Sequence, residues 1–240
     1  MNIGRDVEIQ RQYYAQTANT YEERHVAGKD EHNFALNLLI ASLDYYEIRS
    51  VLDLGCGTGR AIRQIKALRP DIRVLGVEPV QKLREVGHTL GLTSQELIEG
   101  DATRLQFPDS SFDLVCCFGV LHHIPKPTNA IREMLRVAGK GIFISDSNGF
   151  GQGSLLTRTL KQAINALGLW RTFHLIRTKG KGYEISEEDG VYYSYSVFND
   201  YRLIRSACKK VHILNTNDGD INLYKTASHI ALLGVKDSVA

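Results

Sequence analysis

The feature that most constrains this 240-residue chain is one run, Val51-Leu52-Asp53-Leu54-Gly55-Cys56-Gly57-Thr58-Gly59. Val51, Leu52 and Leu54 are a short apolar run of the kind buried on both faces of a parallel sheet. The run closes on a carboxylate and three glycines at alternate positions. Behind it, Ala61, Ile62, Ile65 and Leu68 recur at helical spacing, and the pattern stops before Pro70. Strand, glycine turn and helix in that order predict an α/β fold with an open sheet. Its ligand lies across the carboxyl ends of the strands, where free helix N–H groups also point.

The glycine spacing narrows the ligand. A dinucleotide fingerprint needs Gly-x-Gly-x-x-Gly, and Arg60 occupies the place of its third glycine. Asp53, two residues ahead of the turn, would repel a pyrophosphate and suits a ligand carrying positive charge. Asp53-Leu54-Gly55-Cys56-Gly57-Thr58-Gly59 resembles the first motif of the class I S-adenosylmethionine-dependent methyltransferases, in the small-molecule (type 11-like) branch. The resemblance implies a Rossmann-like, mostly parallel sheet of seven strands in the order 3-2-1-4-5-7-6. It also implies S-adenosyl-L-methionine as cofactor, held by Asp53 and by the turn Gly55, Cys56 and Gly57.

Further matches follow in chain order. Tyr13 to Tyr21 resembles the N-terminal arm of that branch, which folds over the cofactor, and Tyr21 is a candidate to reach the reacting groups; packing of the arm is the plainer reading. A helix is expected over His32–Leu43. A second strand, Val74–Val77, ends at Glu78-Pro79. Glu78 has two oxygens to accept from both ribose hydroxyls, or it answers the dipole of the next helix. Glu96–Glu99 reads as a third strand leading to Asp101-Ala102. By resemblance, Asp101 accepts from the adenine amino group and the Ala102 N–H meets a ring nitrogen. The fourth strand, Leu114–Phe118, ends beside the first, at the place where strand order reverses. Phe118, His122 and His123 there should face the sulfonium and the acceptor.

Asn129–Val137 reads as a helix and Gly141–Asp146 as the fifth strand. The proline turn usual before that strand is altered to Ala138-Gly139-Lys140. From residue 147 to about 197 the chain leaves the pattern. We read this segment as an inserted cap over the acceptor pocket, with a helix from Ser154 to about Leu167, a basic loop Arg177–Lys181 and tyrosines 192, 193 and 195. A helix over Phe198–Lys210 and two antiparallel strands, Val211–Leu214 and Ile230–Val235, close a single domain whose residues 1–45 form the arm.

Methyl transfer from a sulfonium is an in-line displacement governed by positioning. An oxygen acceptor must also lose its proton, and histidine is the base best matched to neutral pH. His123 and His122 are the candidates, with Asp146 as orienting partner and Tyr21 above. Composition bounds the rest. Twenty-nine basic residues against 27 acidic ones are too balanced to predict nucleic-acid binding. Cys117-Phe118-Gly119-Val120 is also not the Asn/Asp-Pro-Pro-aromatic motif of nucleic-acid N-methyltransferases. The four cysteines form no Cys-x-x-Cys pair, so no metal is implied, and Cys116 and Cys117 read as small core residues. No apolar core of a signal peptide and no membrane-spanning stretch occurs. The expectation is a cytoplasmic methyltransferase, monomer or homodimer, without membrane insertion. Its acceptor is a small molecule, first a hydroxyl of a sugar or glycosylated metabolite. The alternatives are carbon or nitrogen methylation of a quinone, lipid or other metabolite, or a regulatory subunit that binds the cofactor without catalysis.

Overall fold

The computed structural model describes residues 3–26, 28–217 and 222–236. Its central sheet is built from β1 (Ser50–Leu54), β2 (Arg73–Val77), β3 (Leu97–Ile98), β4 (Phe112–Phe118), β5 (Ala138–Ser147), β8 (Lys210–Asn215) and β9 (His229–Val235). The spatial order is β3-β2-β1-β4-β5-β9-β8. The first five strands are mutually parallel, and β9 runs antiparallel between β5 and β8. With the small hairpin β6 (Glu184–Ser186) and β7 (Gly190–Tyr192) left out of the count, this is the expected order 3-2-1-4-5-7-6.

Alternation along the strands explains the two-sided core. Val115 and Cys117 of β4 face one layer with Leu52, Leu54, Ile142 and Ile144, against α6 (Pro127–Val137) and α9 (Tyr201–Ala207). Leu114 and Cys116 face the other with Val51 and Phe143, against α3 (Glu31–Ser42) and α4 (Arg60–Leu68). Both cysteines are wholly buried, as small core residues should be. The strand α4 follows ends at Leu54, in register with Val77 of β2 and Cys117 of β4. That register brings the tips of three strands together. The turn between β1 and α4 tolerates no side chain at Gly59: φ is +85°, and a Cβ there would fall 2.2 Å from Leu92 Cδ1.

Three local expectations change. The altered proline turn is no turn at all, because β5 begins at Ala138 directly after α6 and pairs with Phe112. The cap is not one helix and a loop. It holds α7 (Leu155–Ala166), capped by the Ser154 side chain as expected, then α8 (Trp170–Arg177) and the β6–β7 hairpin. The helix expected over Phe198–Lys210 is shorter: a 3-10 turn at Val197–Asp200 leads into α9, and Cys208 is already extended so that β8 can start at Lys210. Before the sheet come α1 (Ile3–Thr17) and α2 (Tyr21–His25); α5 (Gln81–Thr89) follows β2. The arm is stapled to the cap: Gln10 Nε2 donates to the Asp189 carbonyl at 3.0 Å, Tyr13 Oη to the Glu187 carbonyl at 2.9 Å, and Tyr193 Oη to Asp6 at 2.7 Å. Tyr195 is buried beneath, so two of the three cap tyrosines are engaged in packing or in holding the arm.

Candidate active site

At the carboxyl ends of β1, β2 and β4 lies a cavity of about 350 Å³. Glu78 is the most constrained side chain on its wall. Its Oε2 accepts from the Gly57 N–H at 3.0 Å and its Oε1 from the Val80 N–H at 2.8 Å. Burial pushes its carboxyl up to about 7, against the pull of those two N–H groups. The buried acid therefore stands ready to ionise fully when a hydroxyl donor or a cation arrives. Pro79, Gly55, Ala102 and Phe118 line the same cavity. Asp101 lines it too, with one oxygen taking Thr103 N and Oγ1 and the other paired with Arg11 of the arm at 2.8 Å. Six of the nine residues expected to hold the cofactor thus share one wall.

The other three do not line it. Asp53 is buried below the turn, where the Cys116 thiol reaches it at 3.7 Å. Burial lifts its carboxyl to about 7, offset in part by Arg60. Cys56 points back into the sheet against Gly76. Gly57 is roofed by Tyr21, whose hydroxyl would lie 2.7 Å from a Cβ at that position. Tyr21 is therefore a cover on the glycine turn, close to Glu78, lining the cavity with its ring against His25 at 4.8 Å.

Tyr14 stands beside His123. His123 Nδ1 lies 2.7 Å from the Val191 carbonyl and 3.1 Å from Gln10 Nε2. The His123 Nε2 faces the Tyr14 hydroxyl at 3.0 Å, with Asp189 Oδ1 at 3.3 Å. His123 and Tyr14 both line the cavity. His122 is turned the other way. Its Nδ1 lies 2.7 Å from Asp146 and its Nε2 3.1 Å from Asp189. Burial alone would lower its pKa, but the two carboxylates outweigh burial and raise it to about 10. With both nitrogens protonated it has no lone pair to receive a proton. His122 is thus a cationic tie between the β5 tip and the cap, and His123 is the one of the pair that lines the cavity. Asp146 does orient a histidine, but it is that tie. Its carboxylate also accepts from Leu121 N at 2.8 Å and Ser147 N at 2.7 Å, and His122 helps hold it down at about 2 although burial alone would raise it.

Below the β4 tip, His32 Nδ1 bonds Ser145 Oγ at 2.8 Å. Burial, then the neighbouring His229, lower its pKa to about 4, so it is neutral. A Cβ at Gly119, where φ is +67°, would meet His32 Nε2 at 2.8 Å, which is why this bend needs glycine. Sequence reasoning missed Asp189, Gln10 and Arg11. Asp189 stands before Gly190 in a run Glu187-Glu188-Asp189-Gly190 that reads as an ordinary turn, and nothing local marks it as the acid reaching both histidines.

A row of strand-tip acids above a glycine bend, in a sheet of this order, defines the class I methyltransferase fold. Residues 52–144 match the model of a methyltransferase domain. The chain is 29% identical over 129 residues to the uncharacterized methyltransferase YcgJ of Bacillus subtilis, covering 52% of this chain and 49% of that protein. It is 38% identical over 93 residues to demethylmenaquinone methyltransferase of Staphylococcus aureus, covering 38% and 39%. It therefore spans half or less of the length of these curated relatives. Among solved structures, magnesium protoporphyrin IX methyltransferase from Synechocystis with bound S-adenosylhomocysteine superposes with a TM-score of 0.59 at 15% identity, over 97% of this chain and all of that one. This likeness is one of fold.

The residues fit S-adenosylmethionine. The cavity is of ligand size. Glu78 presents a desolvated carboxylate at the tip of β2, and Asp101 and Ala102 present an acceptor and an N–H at the tip of β3. Among the described residues, no helix is long and apolar enough to cross a membrane.

Proposed function

We propose that this chain transfers a methyl group from S-adenosylmethionine to the oxygen of a small-molecule acceptor, a hydroxyl of a sugar or glycosylated metabolite. The observation that carries the reading is the position of His123, an imidazole whose Nε2 faces the Tyr14 hydroxyl in the same cavity as Glu78 and Asp101. When bound, S-adenosylmethionine supplies an electrophilic methyl group on a positively charged sulfur. Glu78 would hold the ribose and Asp101 the adenine, while Asp53 and Glu78 place negative charge under the cation. Nε2 of His123 would take the acceptor's proton, directly or through the Tyr14 hydroxyl, and Asp189 would stabilise the imidazolium so formed. The cap and arm would exclude water and set the acceptor.

Carbon methylation of a quinone is the second reading, favoured by the match to demethylmenaquinone methyltransferase. The test is incubation with the methyl donor and fractionated hydroxylated and quinone metabolites, scored by release of S-adenosylhomocysteine. Turnover with a hydroxylated fraction supports the proposal. Turnover with quinones alone replaces it by the second reading, and tight donor binding with no turnover on any fraction indicates a regulatory subunit.

A further inference from the structure

The cap helices are amphipathic the wrong way round. On α7 the polar side chains turn inward: Lys161 Nζ donates to the Gly149 carbonyl, Gln162 Nε2 to the carbonyls of Phe150 at 3.1 Å and Lys225 at 2.8 Å, and Asn165 Nδ2 to Tyr224 Oη at 3.1 Å. The leucines turn outward. Leu156 is 80% exposed, Leu160 56% and Leu167 73%, spaced as one stripe of the helix. The chain continues through exposed Leu169 into α8, where Phe173 and Ile176 repeat the pattern, Ile176 at 74%. A single exposed leucine needs no explanation; two successive helices showing their apolar faces to solvent mark a docking surface.

Charge decides what docks. From residue 147 to residue 183 the chain has no acidic residue and six basic ones: Arg158, Lys161, Arg171, Arg177, Lys179 and Lys181. The rest of the chain, with the other 23 basic residues and all 27 acidic ones, is net acidic. Arg177 is paired with Glu184 just beyond the segment, but Arg171, Lys179 and Lys181 are exposed beside the apolar stripe. A second copy meeting this surface by symmetry would set basic patch against basic patch. An anionic lipid surface takes both features at once: leucines enter the acyl boundary while lysines and arginines stay among the headgroups. Each basic side chain held there strengthens binding by about fivefold.

We propose that α7 and α8 form a peripheral docking surface for anionic lipid bilayers, lying in the interface without spanning it. Docking is read from binding alone and stands apart from the methyl-transfer reading. The experiment is co-sedimentation of the full chain with vesicles of phosphatidylcholine, with and without phosphatidylglycerol, at low and high salt. The wild type should pellet with the phosphatidylglycerol vesicles, remain in solution with phosphatidylcholine alone, and be released by salt. The double variant Leu156→Glu, Leu160→Glu should lose binding by about tenfold or more, with an unchanged melting temperature because those side chains face solvent. Lys179→Gln with Lys181→Gln should weaken binding less and flatten its dependence on phosphatidylglycerol. No pelleting of a folded wild type overturns the proposal. So does a concentration-dependent dimer in sedimentation velocity that the leucine variant dissolves, since the surface would then belong to a second copy.

Discussion

Replacing Glu78 with glutamine tests the cofactor wall most directly, because this carboxylate has two separable duties. It accepts from Gly57 N–H at 3.0 Å and Val80 N–H at 2.8 Å, and it would accept from a ribose. Glutamine keeps the shape and one acceptor oxygen, so one of the two buried N–H groups loses its partner, at a cost of roughly 1–3 kcal/mol. Against that, burial lifts the native carboxyl to about 7 from 4.5. The folded state therefore binds the proton more tightly than the unfolded chain does, and the wild type loses stability as pH rises from about 4.5 to about 7. Glutamine removes that loss. The two terms oppose each other, so the melting temperature of the variant above pH 7 should stay close to that of the wild type. Ligand binding has no such compensation. Losing charge-assisted bonds to the ribose costs roughly 1.5–3 kcal/mol, about tenfold to a hundredfold in affinity for S-adenosylhomocysteine. Titration calorimetry reads the affinity and scanning calorimetry the stability. The wild-type affinity should weaken below pH 7 as Glu78 protonates, and the variant should not show that dependence. An affinity within twofold of wild type, with the same pH profile, would refute the ribose role and leave Glu78 as a pin for the glycine turn.

The histidines should separate. His123→Gln should lower turnover by about 10²-fold or more with S-adenosylhomocysteine affinity unchanged, whereas an active variant would remove the base. His122→Gln should destabilise the fold by about 3–5 kcal/mol, because it strands Asp146 and exposes Asp189 to no cation, as read by denaturant unfolding. The raised pKa of His122 makes this tie a source of stability that is complete below its unfolded value near 6.5 and lost as pH rises through about 10; a pH series of melting temperatures should fall in that window, and the His122→Gln variant should not follow it. Gly59→Ala should cost about 2 kcal/mol or more, from the left-handed backbone and from the collision with Leu92.

The frame of this protein was readable residue by residue. Buried runs such as Val51–Leu54 and Leu114–Phe118 have one stable home, the middle of a parallel sheet, and the glycines and acids that follow them mark the strand tips. Boundaries were less legible. Val137 and Ala138 show no turn chemistry, yet only pairing with Phe112 reveals that β5 begins there. Between residues 147 and 197 the Ser154-capped helix was legible, but the hairpin was not, since three-residue strands leave too short a pattern to detect.

Local chemistry thus determined the strand runs, the glycine bend and the acids at the strand tips, because each depends on spacing within a few residues, whereas the strand order was implied by the resemblance to a family. What surrounds each of the two adjacent histidines was decided only in three dimensions. His122 and His123 are neighbours in the chain with the same chemistry. They differ because Asp146 and Asp189, from β5 and from a hairpin 67 residues beyond His122, take both nitrogens of one ring, while the Val191 carbonyl, Gln10, Tyr14 and the same Asp189 surround the other. Charge and hydrogen bonding act through space, so residues far apart in the chain set the surroundings of two that are adjacent.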